Sequence, residues 1–427
     1  MPRGCDIDCP SRTRGKWPGS PGQLSMGRMH TKPNAVSAQY SQPVAYEHLG
    51  VTRWPFPTVP ARDFCTFIAD RERLRGDLES MLRTLSRQDS SDIHLLWSWF
   101  GAGKTHTLFY LANQCAASKQ HMGRQLYSVY SEFPKAPKSF VDVYRSFARG
   151  LDQEEIIDAY LEIQTSPQAA SLHSAALAAS PDLVTALQVL TSGTPQNQMT
   201  ALRWMHGESL PASAYRAIGI QQKIGTTEDA GRIMSALVRL FSLASQSQNR
   251  PGCRVVWLLD EFQRIGQLPR QLQSEINVGL HSTFNASPTG LTMVFSFSGK
   301  PEKELPSYFT AEMRDRIGLT KVMVLPPLQK EEALTFVRDV LKNLRTLEAY
   351  DKGEFFPFTE ESAKYIIDRV NDVMDLKPRA IMQAFDAVLA DADQLLQQHD
   401  FETIDSNFAK QALSERISLM TREEEGS

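Results

Sequence analysis

The stretch that decides the fold reads Ile93-His-Leu-Leu-Trp97-Ser98-Trp-Phe-Gly101-Ala-Gly103-Lys104-Thr105. Its short apolar beginning predicts a buried strand, and residues 105–117 that follow it have a helical pattern. The turn between them fits G-x-x-x-x-G-K-[ST], with Ser98 in place of the first glycine. A strand, a glycine-containing turn and a helix in this order predict a phosphate-binding loop.

The residue types in this turn suit an anion. Gly101 and Gly103 let the main chain curl so that its N–H groups converge on phosphate oxygens. The helix that follows directs its positive end at the same point. Lys104 supplies a point charge for the β- and γ-phosphates, and the Thr105 hydroxyl is a ligand for Mg²⁺. The nucleotide-contacting candidates are Trp99, Phe100, Gly101, Ala102, Gly103, Lys104, Thr105 and His106; the alternative is a glycine-rich turn beside an exposed lysine.

A second motif lies far downstream, where the apolar run Val255-Val-Trp-Leu-Leu259 ends in Asp260 and Glu261. A buried parallel strand brings its carboxyl end to the ligand crevice of an open α/β sheet. Asp260 is therefore predicted to hold Mg²⁺ together with Thr105, and Glu261 to activate the attacking water. The alternative is an ordinary acidic helix start, because carboxylates are favoured there.

Five short apolar runs predict the strands of a parallel sheet: Ile93–Trp97, Gln125–Tyr130, Cys253–Leu259, Leu291–Phe297 and Val322–Leu325. Helical patterns alternate with them and then continue alone, at Asp70–Leu85, Thr105–Ala117, Lys330–Leu344, Thr359–Val370, Lys377–Gln398 and Ser406–Ile417. More than a hundred residues separate the second run from the third, too many for a simple crossover. We therefore expect an α/β fold with a parallel sheet, a helical insertion and a small C-terminal helical lid domain.

This pattern predicts three regions. Residues 1–44 are rich in Pro, Gly, Ser and Arg and are expected to be a disordered leader. Residues 45–327 are expected to form the core, with the insertion at about 138–243, and residues 328–427 the lid domain with a last helix.

Composition is ordinary for a globular protein: 427 residues, 41% hydrophobic, 22% charged and a net charge of -3. Any nucleic-acid contact must therefore come from a local basic patch. Five scattered cysteines favour a reducing compartment over a disulfide framework. The sequence has neither an apolar run of membrane-spanning length nor a hydrophobic signal core, so we expect no membrane contact and a cytoplasmic location.

The two motifs together resemble those of the AAA+ class of P-loop ATPases, and further segments extend the resemblance over about 55–395. The strand Leu291–Ser298 resembles the one whose polar end senses the γ-phosphate, through Ser298 or Ser296. The segment Ala311-Glu-Met-Arg314-Asp-Arg316-Ile-Gly is similar to the one that holds an arginine finger. An arginine fork spans two phosphate oxygens, whereas the alternative is a surface ion pair.

Two more segments support the likeness. Leu376-Lys377-Pro378-Arg379-Ala-Ile resembles the lid-helix motif whose arginine, here Arg379, reaches the nucleotide. Phe67-Ile-Ala69-Asp70-Arg71 resembles the motif near the adenine, with Ala69 where the family has glycine. Within the class, the chain looks most like the initiator and STAND-type branch. Residues 201–208 and 217–220 also resemble a segment of ATPases from bacterial phage-defence loci such as BREX systems; ordinary helix packing by Trp204 and Met205 is the alternative.

The resemblance implies an ATP-hydrolysing switch with ATP and Mg²⁺ as cofactors. Its catalytic residues would be Glu261 and Lys104, with Arg316 or Arg314 supplied by a neighbouring subunit of a homo-oligomer. It would regulate or load a protein partner on DNA in a bacterial defence or mobile-element system. DNA contact would use basic residues such as Arg264, Arg270, Lys300 and Lys303. The competing hypotheses are a ring-forming remodelling motor and a nucleotide-binding scaffold that does not hydrolyse ATP.

Overall fold

The computed structural model describes residues 46–118, 125–177, 180–246, 252–300, 305–317, 321–398, 402–414 and 416. The predicted leader lies outside these residues. Among the described helices none is long and apolar enough to cross a membrane.

A five-stranded sheet forms the centre of the fold. Its strands are Asp92–Ser98 (β1), Leu126–Glu132 (β2), Arg254–Asp260 (β3), Leu291–Ser298 (β4) and Val322–Leu325 (β5). The spatial order is β2-β3-β4-β1-β5 and every pairing is parallel. β3 and β4 are buried along their whole length, which explains their continuous apolar sequences.

Successive side chains of these strands face opposite sides of the sheet. Odd-numbered residues such as Leu95, Trp257 and Phe295 belong to a large hydrophobic cluster shared with the inserted helices. Even-numbered residues such as Leu96 and Leu258 pack in a second cluster with the helices Glu72–Leu85 (α1) and Lys104–Ser118 (α2). The polar residues that end the strands at even positions therefore face the same side as the phosphate loop.

The described residues between β2 and β3 contain seven helices: Phe140–Arg149 (α3), Gln153–Thr165 (α4), Ala169–Leu177 (α5), Pro181–Ser192 (α6), Pro195–Met205 (α7), Ala212–Arg216 (α8) and Thr227–Gln246 (α9). Trp204 and Met205 are buried in α7, so these two residues serve packing. Arg270–Ala286 (α10) and Ala311–Ile317 (α11) flank β4 along the chain.

The remaining helices follow β5: Lys330–Leu344 (α12), Glu360–Asn371 (α13), Pro378–Gln397 (α14) and Ser406–Ser414 (α15). They build a third hydrophobic cluster, which also takes in Leu49, Val51, Phe56 and Phe64 from the segment before α1. The first described segment of the chain therefore packs against the C-terminal helices rather than against the sheet.

The expected fold class is confirmed: a parallel α/β sheet carries inserted helices and a C-terminal helical region. The five predicted strands coincide with β1–β5 to within two residues at each end. The helix ends agree equally well, except for the last helix. The prediction of Thr359–Val370 is one residue off at each end from α13, whereas the predicted last helix extended to Ile417, which lies outside the described residues.

Candidate functional site

The loop between β1 and α2 forms an open main-chain cradle. Gly101 has φ 78° and Gly103 has φ 94°, a conformation that glycine adopts at little cost. A Cβ atom at Gly103 would meet no atom within 4 Å, so the curve of the loop faces open space. The helix α2 begins at Lys104, directly after this curve, so its unpaired N–H groups point into the same space. This arrangement suits an anion.

Ser98, which replaces the usual first glycine, is the buried last residue of β1. Among described residues other than glycine, only Asp70 and Glu261 have a positive φ, so this position does not require glycine. The Ser98 hydroxyl donates to the carbonyl oxygen of Trp99 at 3.0 Å. The loop is therefore compatible with serine at its first position.

Lys104 lies inside the loop and is only 7% exposed. Its ammonium group donates to the carbonyl oxygen of Trp99 at 2.8 Å and to the Ser98 hydroxyl at 3.2 Å. Burial lowers the pKa of Lys104 to about 8, while the charges of Asp260 and Glu261 oppose that change. The exposed-lysine alternative is therefore wrong: the side chain is folded back against its own loop.

Asp260 meets Thr105 at the end of β3. The Thr105 hydroxyl donates to Asp260 Oδ2 at 2.6 Å, and the Tyr130 hydroxyl donates to the same oxygen at 3.3 Å. Oδ1 accepts from the Ser296 hydroxyl and, at 2.8 Å, from the main-chain N–H of Glu261. Asp260 is 1% exposed, so this shell of four donors compensates for the burial of its charge. Thr105 and Asp260 offer the hard oxygen atoms that Mg²⁺ binds.

Glu261 follows in a left-handed conformation, with φ 60° and ψ 29°. This turn separates its side chain from that of Asp260 and directs Glu261 to the cavity that the loop borders. Its Oε2 accepts from Gln263 Nε2 at 3.0 Å and lies 3.3 Å from Arg264 Nη2. A residue other than glycine in this conformation is strained, and such strain is concentrated at functional sites.

The cavity measures about 330 Å³ and lies between the loop and the C-terminal helical region. The loop and the start of α2 line one side of it with residues 100–107, and further polar side chains come from Arg71, Glu261, Ser298 and Arg379. Its apolar wall consists of side chains from both regions: Phe64, Phe67, Ile68, Leu74, Phe336, Val340 and Met382. The volume falls at the small end of ligand pockets, and one polar and one apolar side suit a phosphorylated ligand with an aromatic group.

Arg379 joins the C-terminal helical region to the loop. Its main-chain N–H donates to the carbonyl oxygen of Gly101 at 3.1 Å, and its side chain lines the cavity. It stands in the first turn of α14, after Pro378, which suits a helix start. The amino-terminal ends of α2 and α14 therefore both border the cavity, where each favours negative charge.

His106 has both ring nitrogens engaged. Nε2 lies 2.8 Å from the carbonyl oxygen of Phe67, which can only accept, so Nε2 carries the proton. Nδ1 then accepts from the Cys65 thiol at 3.3 Å. Burial lowers the pKa of His106 and raises the pKa of Cys65 to about 12, so both groups are neutral. His106 borders the cavity and fixes the segment at residues 65–67 to α2.

The two serines of β4 differ in position. Ser296 is buried beneath the cavity and donates to Asp260, whereas Ser298 lines the cavity itself. Ser298 is thus the one of the two that can reach a ligand. Ala69 also lines the cavity, and the positive φ falls on its neighbour Asp70, at 32°. Alanine is therefore compatible with the main-chain conformation at residue 69.

Other predicted residues lie apart from the cavity. Trp99 is 38% exposed and contributes its carbonyl oxygen to Lys104 rather than a cavity wall. Arg314 and Arg316 are exposed on α11, and Arg316 Nη2 donates to Asn285 Oδ1 at 3.3 Å. Arg264, a candidate for DNA contact, is bound to Glu261 and to the carbonyl oxygen of Phe133. Lys303, another such candidate, is outside the described residues.

Sequence reasoning missed Tyr130 and Gln263. Tyr130 was recognised as a strand residue, and the two-residue period of β2 directs it to the same side as Asp260. That period was a usable signal once β2 is known to pair with β3. Gln263 carries no comparable signal, because its contacts depend on the turn at Glu261.

Comparison with known proteins gives no matching family model and no matching curated protein. Solved structures do match. The Aeropyrum pernix ORC2 protein (ADPNP-ADP complexes) is 15% identical over 82% of this chain and 70% of that chain, with a TM-score of 0.45. Drosophila ORC bound to DNA is 13% identical over 93% and 70%, with a TM-score of 0.46. Domain III of the Thermotoga maritima replication initiation protein DnaA is 13% identical over 84% and 99%, with a TM-score of 0.40. Similarity at this level does not show what this chain does, so its function is inferred from the site residues.

Proposed function

We propose that this chain is an AAA+-type ATPase that binds ATP with Mg²⁺ and hydrolyses it. One observation carries the proposal: Thr105, from the glycine-containing loop, lines the cavity and shares a hydrogen bond of 2.6 Å with Asp260, 155 residues later. If the first motif were only a structural glycine turn and the second an ordinary acidic helix start, contact between them would not be expected. A site for a phosphate-bound cation explains why a hydroxyl, a buried ammonium group and two carboxylates lie together.

The residues present fit a triphosphate. The converging N–H groups at Gly101 to Thr105 bind phosphate oxygens, and the ends of α2 and α14 add positive potential. Lys104 exchanges its contacts with Ser98 and Trp99 for the β- and γ-phosphates. The apolar wall around Phe67 and Met382 takes the base.

Thr105 and Asp260 would hold the magnesium ion. When bound, the ion neutralises charge on the transferred phosphate. Tyr130 and Ser296 help to orient Asp260, because their hydroxyls donate to its two oxygens. This support keeps the carboxylate aimed at Thr105.

Glu261 accepts a proton from the attacking water, and Ser298 donates to the γ-phosphate. Arg379 contacts the phosphates from α14. Arg316, or Arg314 two residues earlier, is proposed to complete the site of a neighbouring subunit. The exposure of both on α11, away from the cavity of their own chain, supports that assignment. Hydrolysis would then depend on a homo-oligomer.

The biological setting is a finer proposal. The core at 45–327 and the lid at 328–427 would close on ATP and reset on hydrolysis, regulating or loading a protein partner on DNA. Arg270 and Lys300 remain exposed for DNA contact, whereas Arg264 is occupied. The proposal that the chain belongs to a bacterial defence or mobile-element system rests on the sequence resemblance at residues 201–208 and 217–220.

The decisive experiment compares the wild-type chain with Glu261→Gln for ATP binding, phosphate release and size by light scattering. The variant should bind ATP like the wild type, release phosphate at a hundredth of its rate or less, and accumulate as an ATP-bound assembly; about hundredfold is typical for loss of a general base. Gln267→Ala, on an exposed residue six positions later, is the control. Wild-type phosphate release by Glu261→Gln would disprove the assigned role.

A further inference from the structure

The main chain after β3 turns back on itself. Glu261 adopts the left-handed conformation, and residues 262–267 form a 3₁₀ helix. The N–H of Arg264 donates to the carbonyl oxygen of Glu261 at 3.1 Å, which closes the first turn. This turn brings the side chain of Gln263 beside that of Glu261.

Gln263 uses both ends of its amide. Its Nε2 donates to Glu261 Oε2 at 3.0 Å, and its Oε1 accepts from the main-chain N–H of Ser298 at 3.0 Å. The partners fix the orientation of the amide, because a carboxylate only accepts and a main-chain N–H only donates. The amide therefore links the carboxylate of Glu261 to the end of β4.

A second donor competes for the same carboxylate oxygen. Arg264 Nη2 lies 3.3 Å from Glu261 Oε2. The guanidinium is itself anchored toward the end of β2, by the carbonyl oxygen of Phe133 at 2.6 Å and by Glu132 at 3.4 Å. Loss of Gln263 would leave Arg264 as the stronger anchor, drawing the carboxylate toward β2 and away from the end of β4.

We propose that Gln263 is a positioning residue that couples the end of β4 at Ser298 to the carboxylate of Glu261. This proposal rests on the ATPase function proposed above. Ser298 lines the cavity where we place the γ-phosphate, whereas Gln263 does not line it. A displacement of Ser298 on ATP binding is thus transmitted by one amide to the group that activates water. Gln263 acts on turnover and leaves ATP binding unchanged.

Two substitutions separate this role from mere packing. Gln263→Met keeps the length of the side chain and removes both hydrogen bonds. Gln263→Glu keeps the acceptor for Ser298 but sets a carboxylate oxygen against Glu261. Both should lower kcat roughly ten- to a hundredfold, the size expected for one hydrogen bond to a charged group, with KM for ATP unchanged. The matched control is Gln267→Glu, which adds the same charge at an exposed position of the same 3₁₀ helix.

Non-additivity tests whether Gln263 acts through Glu261. In a Glu261→Gln background, Gln263→Met should cause no further loss of single-turnover phosphate release. A further loss as large as in the wild-type background would overturn the coupling. Wild-type kcat in both single variants would overturn the proposal while leaving the ATPase function intact. If the wild type released phosphate no faster than Lys104→Ala, that result would instead contradict the ATPase function itself.

Discussion

Substitution of Thr105 by valine isolates the contribution of one hydroxyl, because the two side chains have nearly the same shape. In the structure this hydroxyl donates to Asp260 at 2.6 Å, and three other donors to Asp260 remain in the variant. A hydrogen bond to a charged group is worth about 1.5–3 kcal/mol, and we take about 1.5 because the carboxylate keeps three other hydrogen-bond donors. That value corresponds to about tenfold in an equilibrium constant.

The assay is ATP binding by calorimetry, in Mg²⁺ and in EDTA. The wild type should gain affinity from Mg²⁺, and Thr105→Val should lose about tenfold of that gain while binding in EDTA stays unchanged. Thr283→Val is the control: this buried hydroxyl donates to the carbonyl oxygen of Gly279 at 2.9 Å, and Thr283 does not line the cavity. An equal loss in Mg²⁺ and in EDTA, or no loss at all, would refute the assignment of Thr105 as a metal ligand.

Three other substitutions test separate parts of the structure. Gly103→Ala should lower the free energy of unfolding by about 1–2 kcal/mol, because Gly103 has φ 94°, and should weaken ATP binding. Gly76→Ala, inside α1 with open space around it, should raise the free energy of unfolding by about 0.5–1 kcal/mol. Urea unfolding and ATP titration distinguish the two variants. Burial, and then two nearby carboxylates, raise the pKa of Asp70 from 3.8 to about 6, so its ionisation destabilises the fold as pH rises through 6. Asp70→Asn should therefore stabilise the fold by on the order of 1 kcal/mol at pH 7.5, after allowance for solvent screening. This gain should fade between pH 6 and pH 4, and a gain that does not depend on pH would contradict the raised pKa. Arg254→Met should destabilise by about 3–5 kcal/mol in urea unfolding, because this fully buried guanidinium lies 3.6 Å from Asp92, and combining it with Asp92→Asn should cost less than the sum of the single losses.

The sequence was informative wherever one residue type repeats along a strand. β4 is an unbroken apolar run because it is buried on both faces, and its bounds differ from the predicted ones by a single residue. The loop at Gly101 and Gly103 was recognisable because their left-handed conformations demand glycine. Both signals are local, so they survive without knowledge of the rest of the fold.

Contacts between distant segments were beyond such reasoning. Arg254 begins β3, just before the apolar run Val255–Leu259, and its burial is tolerated because Asp92, the Thr292 hydroxyl and two carbonyl oxygens surround it. The association of Phe56 with the C-terminal helices joins parts of the chain more than 270 residues apart. Such pairings depend on the order of the strands and on how helices pack, and neither leaves a periodic trace in the sequence.

Binding of labelled ATP to Lys104→Ala, measured by equilibrium dialysis, tests most directly whether the loop and the Asp260–Glu261 pair surround one triphosphate. Removal of this buried ammonium group should weaken binding by about a hundredfold or more. Lys342→Ala, on an exposed lysine of α12, should bind like the wild type. Wild-type affinity in Lys104→Ala would contradict the account, because the cavity would then bind no phosphate through its loop.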